Sequence, residues 1–351
     1  MKSYDVCKCG APLQMIERPT PKPAGTEVLL KVIAAGVCHS DLHIWDGYYD
    51  LGDGKKLHLQ DRGVKLPLTM GHENVGEVVA VGPAAKGVAI GARALVHPWM
   101  GCGECKVCKR GDEQLCLKPR SVGVFSAGGY SDHMMVPHPR YLFDIGDLPP
   151  ERAAPLACSG VTTYGALKKV GPLLLEEPVV IIGAGGLGLM CLGLLQKMGG
   201  KGAIVVDIDA GKREAAKKAG AQAVIDGGAK DAVQQIIAAT GGGAWAVIDL
   251  VGSAQTTRLG ADSLIKGGRL IVVGLFGGDI TVPCPHFPLR AITVQGSYVG
   301  NLTEIAELLE LVRKKGLPPI PVATRPLAEV NAALDDLRAG KVVGRVVLQP
   351  A

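Results

Sequence analysis

Cys38, in the run Gly36-Val-Cys-His-Ser-Asp-Leu-His43, and His72, in Gly71-His-Glu73, offer a thiol and an imidazole 34 residues apart. These are the donors that a borderline-soft ion such as Zn2+ prefers. A second thiol, Cys158 in Ala157-Cys-Ser-Gly-Val-Thr-Thr-Tyr164, would make a three-ligand shell, which leaves a fourth position open for chemistry. Between these segments stand Cys102, Cys105, Cys108 and Cys116 at C-x2-C-x2-C-x7-C spacing. Four thiols in so short a run can close a tetrahedral shell with no open position. The incomplete set points to catalysis and the complete set to structure. Glu73 is a candidate neighbouring carboxylate or exchanging fourth ligand. Asp41, three residues after Cys38, is placed to hold the ring N–H of His72 and fix its tautomer. Cys7, Cys9, Cys191 and Cys284 read as ordinary core residues, the usual lot of a free cysteine.

A second chemical motif is the string Gly183-Ala-Gly185-Gly186-Leu187-Gly188. It follows an apolar strand pattern and opens an apolar helix, the context that makes a G-x-G-x-x-G string a dinucleotide fingerprint. The first glycine permits a tight turn, the second lets backbone approach a pyrophosphate, and the third allows close helix–strand packing. The helix N-terminus adds N–H donors and positive potential. Asp207 ends the next strand, 19 residues after Gly188. A carboxylate there accepts hydrogen bonds from ribose hydroxyls and repels a 2′-phosphate, favouring NAD over NADP. Lys212 and Arg213 follow closely.

The elements that must carry these groups fall into two rhythms. Residues 1–150 read as β-rich, with short strands at 27–35, 75–82 and 92–97 separated by Gly and Pro. Residues 48–67 are polar and read as a long surface loop or lid beside Cys38. From about 160, strands at 179–183, 203–207, 223–226, 246–251 and 269–274 alternate with helices reaching Lys218 and near 230–239 and 254–266. This is the pattern of a doubly wound parallel sheet. Helices at 301–315 and 326–339 and a strand at 345–348 form a tail that is expected to pack back on the first domain.

With 351 residues, 47% apolar and 20% charged, the chain reads as a soluble globular protein of two domains. The net charge of +5 is scattered and aromatics make up only 4%, so neither a basic stripe nor a stacking surface for bases is visible. The longest apolar stretch, 179–198, contains five glycines and reads as strand–turn–helix, not as a membrane span. The first residues lack an apolar leader run. Ten cysteines in such a chain indicate reduced thiols and metal ligands in a cytoplasmic protein.

At these residues the chain resembles the zinc-dependent medium-chain alcohol dehydrogenases, nearly end to end. The segments 36–43, 71–73, the four-cysteine run, 158–164, 183–188 with Asp207, and Gly344-Arg-Val-Val-Leu348 carry the likeness, and the bacterial and archaeal tetrameric branch looks nearest. The resemblance implies a GroES-like β-rich catalytic domain (1–160, with a structural-zinc lobe at 98–118) and a Rossmann coenzyme domain (161–299). Residues 300–351 would return to the catalytic domain. It implies one catalytic zinc held by Cys38, His72 and Cys158, one structural zinc in the lobe, and NAD(H). Ser40 would meet the alcohol oxygen and His43 would pass the proton to solvent. His39 and Arg345 would face the pyrophosphate, Thr162 the nicotinamide and Lys212 the adenosine. The implied reaction is reversible hydride transfer between primary or secondary alcohols, medium-chain or aromatic, and aldehydes or ketones. A polyol or sugar dehydrogenase, or a carbonyl reductase, of the same superfamily is the alternative. Trp45, Tyr49, Trp99 and Phe125 are candidate walls of the substrate pocket. A homo-oligomer, tetramer or dimer, would be built partly on the edge strand at 292–299.

Overall fold

The computed structural model describes residues 1–351. Its β-rich part is organised around the strand Val28–Val37, whose side chains are apolar on both faces and almost all buried. This strand pairs antiparallel with Glu73–Val81 along one flank and, on the other, with His133–Val136 near its start and Arg345–Gln349 near its end. The sheet runs from Leu142–Asp144 through Arg93–Val96, Glu73–Val81, Val28–Val37 and Arg345–Gln349 to Val322–Pro326. The C-terminal strand thus sits inside the N-terminal sheet. Within the tail, the helix Leu302–Lys315 packs instead against Ser159–Val170, so only residues from Val322 onward join that sheet.

The second sheet has six strands, all parallel. In space they run Ala223–Asp226, Ala203–Asp207, Val179–Ile182, Ala244–Asp249, Leu264–Val272, Thr293–Gly296. Numbered by sequence this is the order 3-2-1-4-5-6 of the doubly wound fold, which reverses beside Val179–Ile182. That strand is buried on both faces, as helices on each side of a parallel sheet require. Several boundaries shift by a few residues: the strand expected at 246–251 is Ala244–Asp249, the helix expected at 254–266 is Ala254–Asp262, and the following strand starts at Leu264. Gly267 and Gly268 lie inside that strand.

Gly183 has φ +98°, and a Cβ on Gly188 would lie 1.9 Å from the Gly183 carbonyl oxygen. The helix Gly186–Lys197 therefore rests directly on the end of the first parallel strand. A single apolar cluster joins the two sheets, running from Ala34 and Leu95 through Ala157 and Val161 to Ile181 and Leu308. The helix Ser159–Val170 is its bridge, packing against both Gly186–Lys197 and Leu302–Lys315.

Residues 48–67, expected as a long loop, form a small hairpin (Tyr48–Asp50 with Lys56–His58) and a 3-10 turn at Gln60–Arg62. Its tip touches the other half of the molecule: a Cβ on Gly52 would lie 2.9 Å from the Asp279 backbone nitrogen, and one on Gly277 2.7 Å from the Asp50 Cβ. Of the four cysteines expected in the core, Cys191 is buried and Cys7 and Cys9 are half-buried. Cys284 is exposed, because it lies in the irregular segment after Leu264–Val272. No helix is long and apolar enough to cross a membrane.

His97 lies at the end of Arg93–Val96, fully buried with neither ring nitrogen hydrogen-bonded to a side chain or backbone group. Burial holds its pKa down to about 3, from the ordinary 6.5. Folded chains therefore keep it neutral where unfolded chains protonate it, so stability should fall as pH drops below 6.5 toward 3. The difference should reach about 2 kcal/mol at pH 5. Urea titrations of wild type and His97→Gln at pH 5 and pH 8 check this; the variant should lose that part of the slope.

Candidate active site

Three turns bring the distributed donors together. Val28–Val37 delivers Cys38, whose backbone N–H is held by Asp41 Oδ2 at 2.8 Å at the start of the helix His39–Asp46. The loop before Glu73–Val81 delivers His72. Gly71, at φ +90°, is required there because a Cβ would lie 2.5 Å from the Tyr130 ring. Cys158 precedes the helix Ser159–Val170. The Cys38 and Cys158 sulfurs are 3.8 Å apart, and they, a His72 nitrogen and a Glu73 oxygen all lie within 4.8 Å of one another. Two sulfurs about 2.3 Å from one tetrahedral ion would stand about 3.8 Å apart. Both His72 ring nitrogens and Glu73 Oε2 are buried without hydrogen-bond partners. The donor set therefore fits a zinc ion.

The surroundings balance charge around this cluster. Asp41 accepts a 2.8 Å bond from the Tyr130 hydroxyl, and its Oδ1 stands 3.2 Å from His72 Nδ1, though the pair is not aligned as a hydrogen bond. Glu73 pairs with the buried Arg345 guanidinium and accepts from the Ser159 N–H at 3.3 Å. Burial pushes Glu73 up to about 7, against the pull of Arg345. Cys38 is held below the ordinary thiol range, first by the hydrogen bond from Cys158, and Cys158 is correspondingly raised. Burial lowers His72, but Asp41 and Cys38 outweigh it and hold the imidazole above its usual range.

The four-cysteine lobe is closed. Sulfur–sulfur distances are 3.4 Å for Cys105–Cys108 and 3.9 Å for Cys102–Cys108 and Cys105–Cys116. Backbone N–H groups of Cys102 and Lys118 approach Cys116 Sγ at 3.2 Å. Backbone donors, Leu117 first, hold Cys105 down to about 6, while burial pushes Cys108 up to about 12. Sulfurs so close and so served by N–H groups also fit a zinc ion.

Between the two halves lies a cleft of about 770 Å³. Cys38 and Cys158 line it at one end, with His72 behind them. Ser40 and His43 line it, whereas Asp41 and Glu73 lie behind the cluster. His39, Thr162, Gly183, Gly185, Gly186, Leu187, Gly188, Asp207, Lys212 and Arg345 all face this one space. The Asp207 carboxylate accepts from the Ala184 N–H at 2.7 Å and the Asp209 N–H at 2.8 Å, which fixes it at the lip of the glycine turn. A Cβ on Gly186 would lie 2.4 Å from the Gly344 carbonyl oxygen, so the catalytic half presses on the glycine loop itself. Open space surrounds Gly185.

Of the four expected aromatic walls, Tyr49 and Trp99 line the cleft. Trp45 does not: it is buried in the β-rich core, its Nε1 donating to the Ala11 carbonyl at 2.5 Å. Phe125 packs against that same core. Phe276, Tyr298, Ile208 and Arg338 line the cleft unforeseen. Three of them follow the C-terminal ends of parallel strands, a position that offered the available signal.

Residues 24–147 match the alcohol dehydrogenase GroES-like domain family and residues 186–314 the zinc-binding dehydrogenase family. The chain is 40% identical over 352 residues to an NAD-dependent alcohol dehydrogenase of Sulfurisphaera tokodaii, covering all of both. It is 33% identical to a D-arabinose 1-dehydrogenase (NADP(+)) of Saccharolobus solfataricus, over 98% of this chain and 96% of that one. The crystal structure of the alcohol dehydrogenase from Aeropyrum pernix superposes with a TM-score of 0.89 at 32% identity, covering 100% of each chain. Full-length identity at this level, on a fold with converged donors beside a glycine-loop cleft, places the chain in the zinc-type medium-chain alcohol dehydrogenase family.

Proposed function

We propose that the protein is an NAD-dependent zinc alcohol dehydrogenase interconverting medium-chain or aromatic alcohols with their aldehydes or ketones. The carrying observation is that Cys38 and Cys158 open onto the same cleft as the glycine loop and Asp207. A zinc ion held by Cys38, His72 and Cys158 would supply Lewis acidity to the alcohol or carbonyl oxygen, and NAD would accept or return the hydride. Ser40 Oγ takes the alcohol proton, and His43, three residues further along one helix, carries it to solvent. Burial, then the neighbouring His39, lowers the His43 pKa, so its ring is neutral at pH 7 and free to accept. Asp41 holds His72 in place, and Glu73 ties Arg345 and the start of Ser159–Val170 to the cluster. Thr162 Oγ1, buried without a partner on the cleft wall, meets the nicotinamide, while His39 and Arg345 face the pyrophosphate and Lys212 the adenosine. Tyr49, Trp99, Phe276 and Tyr298 exclude water.

The choice of alcohols over polyols rests on the wall chemistry. A site that reads several hydroxyls needs polar partners for each. Asp207, at the nucleotide end, is the single acidic residue lining the cleft; near the cluster Tyr49, Trp99 and Tyr298 form the wall, and the polar Ser40 and His43 there are committed to the proton path. The reading extends to a second zinc in the lobe and to a cytoplasmic dimer or tetramer. Its edge would be Thr293–Gly296, the outermost parallel strand.

Metal analysis of the purified enzyme should find two zinc ions per chain, falling to one in Cys38→Ser and in His72→Ala. In both variants kcat should drop by roughly a thousandfold or more, because Lewis acidity contributes several kcal/mol; full activity in either contradicts the assignment. In Asp207→Gly, the preference for NAD over NADP in kcat/KM should shrink by about tenfold or more. An unchanged ratio removes Asp207 from ribose recognition.

A further inference from the structure

The four-cysteine lobe does more than close on itself. Two adjacent carboxylates leave it in different directions. Glu113 Oε2 accepts from the Tyr141 hydroxyl at 2.6 Å and from Arg140 at 3.1 Å, and approaches the Gly101 N–H at 3.2 Å. This anchors the lobe to its own half. Asp112 Oδ1 instead accepts from Asn301 Nδ2 at 3.4 Å, a long bond to a residue 189 positions away. Asn301 is the N-cap of Leu302–Lys315, and its side-chain oxygen accepts the Glu304 N–H at 2.9 Å. The amide oxygen is thus committed to the helix, and the amide nitrogen is left for the lobe.

The segment immediately before Asn301 is part of the cleft wall: Ser297, Tyr298 and Val299 all line it. The Ser297 hydroxyl is buried there without a partner. Tyr298 meets Trp99 edge-on at 6.0 Å between ring centroids, and Trp99 lies 5.3 Å from the His72 ring. Trp99 is itself fixed, its Nε1 donating to the Ala157 carbonyl at 3.2 Å. On the far side a Cβ on Gly300 would lie 2.4 Å from Val161 Cγ2, so the segment has little room to retreat.

We infer that Asp112 is a positioning residue: through Asn301 the lobe holds the wall at 297–301 against Trp99, setting the shape of the cleft near the Cys38–His72–Cys158 cluster. The lobe then serves cofactor binding as well as local stability. This rests on the dehydrogenase reading only in supposing that NADH occupies the cleft. Removing one such bond should weaken NADH by about three- to tenfold.

NADH titration followed by its fluorescence, with zinc content and melting temperature measured alongside, tests this. Asp112→Ala should raise the NADH Kd about three- to tenfold with both zinc ions retained and melting little changed. Asp112→Asn, which keeps an acceptor oxygen, should bind like wild type. The exposed Lys109→Ala should do so too. Asn301→Ser preserves the helix cap and removes the donor, so it should match Asp112→Ala, and the double variant should be no weaker than either single one. Equal NADH affinity in wild type and Asp112→Ala, or additive losses in the double variant, overturns the inference. Asp112→Asn as weak as Asp112→Ala overturns it as well. Failure of wild type to bind NADH would instead overturn the dehydrogenase reading.

Discussion

Everything in the catalytic half answers to one demand: two sulfurs, an imidazole and a carboxylate must share a dry space a few ångströms across. Buried charge of one sign is costly unless it is paired. Here the pairing is supplied on two sides. Arg345 reaches in from the last strand to Glu73, and the Asp41–Tyr130 bond steadies the carboxylate facing His72. A metal ion would supply the remaining positive charge. The antiparallel sheet around Val28–Val37 is the frame on which these partners meet, since it carries Cys38 at one end and receives Arg345 from the opposite flank.

The second constraint is the shared cleft. Its floor is the bridge helix Ser159–Val170, which begins beside Cys158 and packs into the core common to both sheets. Its walls belong to different halves: Trp99 and Tyr49 to one, Phe276 and Tyr298 to the other. The halves also touch at Gly52 with Asp279 and at Gly186 with Gly344. Glycine at these points lets backbones approach where a side chain would hold the cleft apart. Reaction chemistry of the kind proposed needs such closeness, because water excluded from the cluster cannot compete for the reacting oxygen.

Much of this was legible in the residues, and the reason is locality. Gly183 to Gly188, Asp207 and the four cysteines are short-range patterns whose spacing follows directly from a turn, a strand length or a tetrahedron. Cys158 carried no such spacing; donor type alone nominated it as the third ligand, and likeness to a family supported that nomination. Long-range direction was the weak point. Trp45 and Phe125 sit near Cys38 and the lobe in sequence, yet they turn into the β-rich core: helix register decides which way Trp45 faces, and Phe125 lies in a turn whose direction its sequence does not declare. Gly186 was read as a member of the cofactor-binding glycine string, and the structure adds the pressure of Gly344. The hairpin within 48–67 was hidden by its polar composition, and the Asp112–Asn301 bond spans segments that nothing in the sequence links.

The insertion of Arg345–Gln349 between Val28–Val37 and Val322–Pro326 has a bearing on biosynthesis. His133–Val136 covers the Val28–Lys31 end of the same flank of the central strand, but Val37 pairs with Val346, so the Ala35–Val37 end stays unpaired on the ribosome until about 300 more residues have been translated. Even a short bare strand edge can pair with another chain. The strand end beside Cys38 is thus completed last, by the same segment that brings Arg345 to Glu73.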